Sequence, residues 1–198
     1  MKRINIFLII LVSVSFINLY SQYNTIGSLI NDVNTLSYRN SSSTMIYSNI
    51  DGSPYYSKDF KESTVYLNDG RWGTLPIRYD LFLDEIEFSK DNKTLWLIKG
   101  DIKKVQIGKE TIVARAASEN SGKLLYLFLQ DSGKYSLFIK KGVEYKPYVE
   151  AKGYADPVPE KFVEKKDEFY VQIENNPLKK IRSKKDFLAL LGNKPEIE

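Results

Sequence analysis

The chain contains no cysteine and no histidine, and only two methionines and two tryptophans among 198 residues. Without cysteine there is no disulfide framework, no thiol nucleophile and no thiolate metal site. A lipid anchor attached through cysteine behind a leader is excluded as well. Without histidine there is no imidazole general base, no serine–histidine–aspartate triad and no histidine-bound zinc or haem. The remaining repertoire is carboxylates, lysine, tyrosine, serine and threonine. It leaves open carboxylate-pair glycoside hydrolysis, serine–lysine pairs and oxygen-ligated calcium or magnesium. No cofactor is expected.

Long apolar runs are scarce. The run at the start, Ile4 to Ile17, is broken only by Asn5, Ser13 and Ser15 and follows the basic pair Lys2-Arg3. Its 14 residues fall short of the ~20 that span a bilayer. Basic start, apolar middle and small Ser21 predict a secretory signal peptide over residues 1–21, cut after Ser21 or Gln22. Export to the periplasm, the outer-membrane periphery or the medium follows, with a mature chain that does not span the membrane. Charge is nearly balanced, with 29 Lys+Arg against 25 Asp+Glu. Removing the leader leaves 27 cations against 25 anions, so no nucleic-acid footprint is indicated.

What is present is β patterning. Residues 22–60 form a polar lead-in, with helical spacing of Ile26, Leu29, Ile30 and Val33 and a loop at Asn40-Ser41-Ser42-Ser43. Residues 61–198 read as a β-rich domain. Strands are expected at Thr64–Leu67, Leu75–Phe88, Leu95–Ile98, Val105–Ile107, Thr111–Ala116, Leu124–Leu129, Tyr135–Ile139, Phe169–Ile173 and Leu178–Ile181. Gly108-Lys109 and Asp131-Ser132-Gly133 are hairpin turns. Ser183, with Asp186 three positions on, caps a helix that Gly192 ends and Pro195 keeps closed. Eight to ten antiparallel strands and one terminal helix make a mainly β fold: a bent antiparallel sheet, a sandwich or a half-open barrel. The bent sheet with the helix against it is the favoured form.

The run Asp51-Gly52-Ser53-Pro54-Tyr55, then Thr64-Val65-Tyr66-Leu67 with Asp69-Gly70, then Pro76-Ile77-Arg78-Tyr79-Asp80 and Asp84-Glu85-Ile86-Glu87-Phe88, resembles a family of uncharacterised secreted proteins of Bacteroidota, of flavobacterial type. Phe169-Tyr170-Val171 and Lys184-Lys185-Asp186-Phe187-Leu188 extend the likeness toward the C-terminus. The resemblance implies an exported protein and brings no activity with it.

Several constellations carry chemistry. Ile77, Tyr79, Leu81 and Leu83 alternate on odd positions, while Ile86 and Phe88 are even. A strand cannot change parity without an extra residue, so a bulge or turn is expected near Asp84-Glu85. Arg78, Asp80, Asp84 and Glu85 then form a candidate polar pocket, or simply cross-strand ion pairs on a wet face. The carboxylates Asp80, Asp84, Glu85 and Glu87 admit a glycosidase pair, although nothing else marks a sugar-cleaving site. Asn68-Asp69-Gly70 and Asp91-Asn92 are turn chemistry and lack the spacing that wraps calcium.

Trp72, in the expected turn Gly70-Arg71-Trp72-Gly73, is a candidate glycan platform or interface anchor. Lys179, Lys180, Arg182, Lys184 and Lys185 are a candidate anion patch for lipid head groups or an acidic partner. The run Leu124 to Leu129 is apolar at every position, so one face could serve the core and the other a ligand. Together these predict an exported, non-enzymatic β-rich binding or envelope-associated protein meeting an envelope protein, a glycan or a lipid. The alternatives are a carboxylate-based glycan hydrolase and a periplasmic carrier of an apolar ligand.

Overall fold

In the computed structural model, residues 38–40, 47, 50–117, 122–151, 153–154 and 156–190 are described. The expected leader, the helix at Ile26–Val33 and the helix stop at Gly192 and Pro195 lie outside the described residues. The described residues are mainly β, with one short helix among them, after the last strand. Their strands are β1 (Tyr38–Asn40), β2 (Lys61–Leu67), β3 (Trp72–Asp80), β4 (Glu85–Lys90), β5 (Lys93–Leu97), β6 (Ile102–Ile107) and β7 (Glu110–Ala116). There follow β8 (Leu124–Asp131), β9 (Tyr135–Lys140), β10 (Val143–Lys146), β11 (Lys161–Glu164), β12 (Glu168–Ile173), β13 (Lys179–Ile181) and the helix α1 (Lys184–Leu190). Eleven strands form one antiparallel sheet in the order β1-β5-β4-β3-β2-β6-β7-β8-β9-β12-β13, and β10 and β11 pair separately. The sheet is not closed into a barrel.

The connection from β5 to β6 explains the bend. In the sheet β4, β3 and β2 lie between them, four steps of about 4.8 Å. The pairings are all antiparallel, so β5 and β6 run the same way. A flat sheet would therefore add the length of a strand to the crossing. Yet only Ile98 and the 3-10 turn Lys99–Asp101 join them, a reach of about 17 Å. The sheet must coil until the end of β5 meets the start of β6. The β2–β3 turn holds this link: Asn68 donates its backbone N–H to the Asp101 carbonyl (3.0 Å) and its amide Nδ2 to the Gly100 carbonyl (2.7 Å).

Coiling creates an inner face, where alternate residues of β2 to β8 bury each other. Val65, Ile77, Tyr79, Ile86, Phe88, Val105, Ile112, Tyr126 and Phe128 make this core. The ring of Tyr79 on β3 lies 5.8 Å from Tyr126 and 5.9 Å from Phe128 on β8, so the two halves of the sheet face each other. The fully apolar run on β8 serves both faces. Tyr126 and Phe128 point inward, while Leu127 joins Val113, Phe138, Tyr170 and Leu178 in a second cluster on the outer face.

Three expectations are corrected here. Leu75–Phe88 is two strands, because Leu81–Asp84 form the turn that the parity change demands. Trp72 begins β3 and does not sit in the turn. The described strands number thirteen, since β1 and the β10–β11 pair carry too few alternating apolar residues to announce themselves. The turn Asp91-Asn92 is a two-residue hairpin loop, both residues left-handed at φ +50° and +58°, as hairpin twist requires.

Residues 51–60 cross from the β10–β11 pair to the end of β3 as a strap. Phe162 donates its N–H to the Asp51 carbonyl (2.7 Å), Leu81 to Pro54 (2.8 Å) and Tyr56 to Tyr79 (2.9 Å). The strap approaches β11 closely at Gly52, whose φ is +83°; a Cβ there would stand 2.6 Å from the Phe162 carbonyl oxygen. Gly52→Ala is therefore expected to destabilise the fold by at least about 1–2 kcal/mol, the left-handed penalty alone. Equilibrium urea unfolding measures it, and an unchanged midpoint would contradict the close approach.

Candidate functional site

The β3–β4 turn organises the polar residues that the sequence singled out. Asp80 ends β3 and its Oδ1 accepts from the backbone N–H groups of Phe82 (2.9 Å) and Leu83 (2.8 Å). It is thus a turn-forming carboxylate. The residue is fully buried and its Oδ2 has no hydrogen-bond partner among the described residues. Burial pushes its carboxyl up to about 6, against the pull of those two amides.

Asp84 closes the turn in the left-handed region, at φ +58°. Lys99, from the β5–β6 link, donates to its carbonyl (2.6 Å) and to its Oδ2 (2.9 Å). Lys140, from the end of β9, pairs with its Oδ1. The Tyr79 hydroxyl donates to the same Oδ1 (2.6 Å) and accepts from Lys140 Nζ (2.8 Å). These groups are largely screened from water, with 15% side-chain exposure at each lysine and 18% at Asp84. Burial lowers the Lys140 ammonium, with Asp84 opposing, and raises the Tyr79 hydroxyl well above its ordinary value. Glu85 pairs with Arg39 of β1 (2.6 Å) and lies 3.9 Å from Lys99; burial raises its carboxyl.

Arg78 and Glu87 face each other across β3 and β4 on the outer face. Arg78 donates through Nε (3.0 Å) and Nη2 (2.6 Å) to Glu87 Oε2, and Trp96 Nε1 donates to Oε1 (3.2 Å). The guanidinium lies 3.7 Å over the Tyr55 ring and 4.4 Å from Phe60. The strap so covers a carboxylate that is 1% exposed. A buried charge needs this many partners.

Arg78, Asp80, Asp84 and Glu85 are thus brought together around one turn, but as three separately partnered groups, of which Asp80 keeps one oxygen without a partner among the described residues. Trp72 is six positions along β3 from Arg78, about 20 Å, stacked on Tyr66 with centroids 6.2 Å apart. The basic run is divided by strand alternation. Lys180 pairs with Glu168 (2.6 Å), while Lys179 lies on the opposite face of β13; Arg182, Lys184 and Lys185 are exposed around the start of α1. Among the described residues no group of three or more acidic residues is placed to hold a metal.

Sequence reasoning missed a cleft of about 320 Å³ between the strap and the β10–β11 pair. Tyr55, Tyr56, Lys141, Lys165, Glu164 and Asp167 are among its walls. Lys141 and Asp167 pair across it at 3.2 Å, each about one-third exposed. The signal available was Gly52-Ser53-Pro54-Tyr55, a turn followed by paired tyrosines inside a segment read as a lead-in. No protein family, curated protein or solved structure matches the chain.

Two predictions follow from these geometries. Asp84→Asn keeps a residue tolerant of the left-handed region, takes the paired carboxylate from screened Lys140 and leaves screened Lys99 only Glu85, at 3.9 Å. It should lower stability by about 3 kcal/mol, against less than about 1 kcal/mol for Lys180→Ala at the exposed Glu168 pair. Equal urea midpoint shifts would show that the Asp84 network is not structural. For Asp80, the folded pKa lies above its usual 3.8, at about 6. The folded state therefore holds a proton that the unfolded chain has released between those values, and stability from this group is lost as pH rises through about 6. The melting temperature of the parent relative to Asp80→Asn should rise from pH 7 to pH 5; a pH-independent difference would exclude this linkage.

Proposed function

We propose that the protein is an exported, non-enzymatic binding module of the cell envelope whose strap cleft takes a neutral, hydroxyl-rich ligand of the saccharide class. The observation that carries the non-catalytic reading is the commitment of the acidic residues around the β3–β4 turn. Asp84 is held by two lysines and a tyrosine, Glu87 by arginine and tryptophan, and Asp80 by the amides of its own turn. A glycosidase needs one carboxyl free to donate a proton and another free to attack or to activate water, flanking an open site. Neither Asp84 nor Glu85 lines the strap cleft.

An apolar carrier is disfavoured by the inner face itself. Tyr79, Tyr126, Phe88, Phe128, Ile77 and Ile86 fill it, each below 2% exposure. The strap cleft is at the small end of the range for small-molecule sites, ~300–1,000 Å³. Two lysines and two acids balance its charge, which favours a neutral ligand over an anion or cation. Tyr55 and Tyr56 supply aromatic surface with polar tips. The expected leader, Lys2-Arg3 followed by Ile4–Ile17, supports export.

Titration calorimetry against neutral mono- and disaccharides tests the reading. Binding should weaken about tenfold in Tyr56→Ala, the loss of roughly one aromatic contact, and should persist in Glu85→Gln. Release of reducing sugar that Glu85→Gln or Glu164→Gln abolishes at unchanged melting temperature would replace this function with hydrolysis.

A further inference from the structure

We propose that the groove between β12, β13 and α1 docks onto an anionic lipid bilayer. Strand register places Leu137, Phe169 and Ile181 on one face, the inner face that Ile139 and Phe128 continue. Beyond the closed core this face stays open. With Phe187 of α1 it walls a shallow groove of about 350 Å³ whose rim is Arg182, Ser183 and Lys184. Phe169 and Leu188 remain 41% and 42% exposed beside it.

The cations at this groove are not used inside the fold. Among the described residues, Lys179, Arg182, Lys184 and Lys185 make no ion pair, in contrast to Lys180, which Glu168 neutralises on the other face. Asp186 accepts from the Arg182 backbone N–H (3.0 Å) and donates its own N–H to Ser183 Oγ (3.1 Å). Its carboxylate is spent on the cap and leaves the guanidinium free. Lys184 and Lys185 also stand in the first turn of α1, where the helix dipole disfavours positive charge.

Exposed aromatic and aliphatic side chains flanked by long basic ones are what an interfacial surface requires: apolar groups enter the head-group region and lysines reach phosphates around them. A peptide partner fits less well. β13 has three residues, too few to fix an added strand by backbone pairing.

Co-sedimentation of the full chain with phosphatidylcholine vesicles, and with vesicles of equal parts phosphatidylcholine and phosphatidylglycerol, tests the proposal. The leader, with its cations Lys2 and Arg3, is common to parent and variants, so the change in the ratio of the two partition coefficients on substitution is the readout. The ratio should favour the anionic vesicles at least about a hundredfold. Arg182→Gln, Lys184→Gln and Lys185→Gln combined should lower it about a hundredfold, near fivefold per cation. Phe169→Ser with Leu188→Ser, both exposed and so tolerated by the fold, should lower partition to both compositions about tenfold. Lys180→Gln should change nothing. Equal partition to the two compositions, an equal effect of Lys180→Gln and Lys184→Gln, or release of bound protein by soluble glycerophosphate would each overturn the proposal. So would capture of an acidic peptide by a chain that leaves the vesicles bare.

Discussion

The four-residue passage from β5 to β6 is the constraint on which the architecture turns. Nothing in an antiparallel meander obliges a sheet to coil as sharply as this one. Here the covalent chain does, because a flat sheet would separate the two strands beyond its reach. The passage is also where the fold is pinned electrostatically. Lys99 stands in it and grips Asp84 at the far end of β3, while Gly100 and Asp101 offer carbonyls to Asn68 at the near end. One short segment thereby fixes both ends of the β2–β3 hairpin. Lys140 then draws β9 to the same carboxylate, so the inner face is sealed at its rim by charge and at its centre by Tyr79, Tyr126 and Phe128.

This arrangement explains why so many ionisable groups near one turn find partners within the fold. A low-dielectric rim strengthens each pair, and leaving any member unpaired is expensive. The partners are correspondingly complete: a fork of arginine with an indole on Glu87, two ammonium groups with a phenol on Asp84. The exceptions among the described residues are the buried Tyr126 hydroxyl and Asp80, whose Oδ2 also lacks a partner. The amides of Phe82 and Leu83 hold it where burial would otherwise expel it.

Much of the β layout was legible because period-two alternation is a local property. The odd–even reversal between Leu83 and Ile86 located a turn to within a residue or two, since a pleat has no other way to change hands. The cap on α1 was legible for the same reason: Ser183 and Asp186 are three residues apart and interact with each other's backbone surroundings. What stayed hidden is what depends on distance along the chain. No local pattern ties Asp84 to Lys140, 56 residues away. Nor does one show that residues 51–60 lie over Arg78, or that Lys179 and Lys180 belong to different surfaces. A run of five cations looks like one patch until a strand assigns its members to faces.

The double attachment of Asp84 has a consequence for the order of assembly. Its bond to Lys99 spans 15 residues and its bond to Lys140 spans 56. Closing the shorter loop costs less chain entropy, and everything it needs lies between β3 and the β5–β6 link. A coiled β2–β6 unit can therefore gather first, with Asp84 already half neutralised, and present Tyr79 and Phe88 as a bare apolar wall. That wall is the one against which Phe128 of β8 packs, and Lys140 reaches its rim only through the longer and costlier closure.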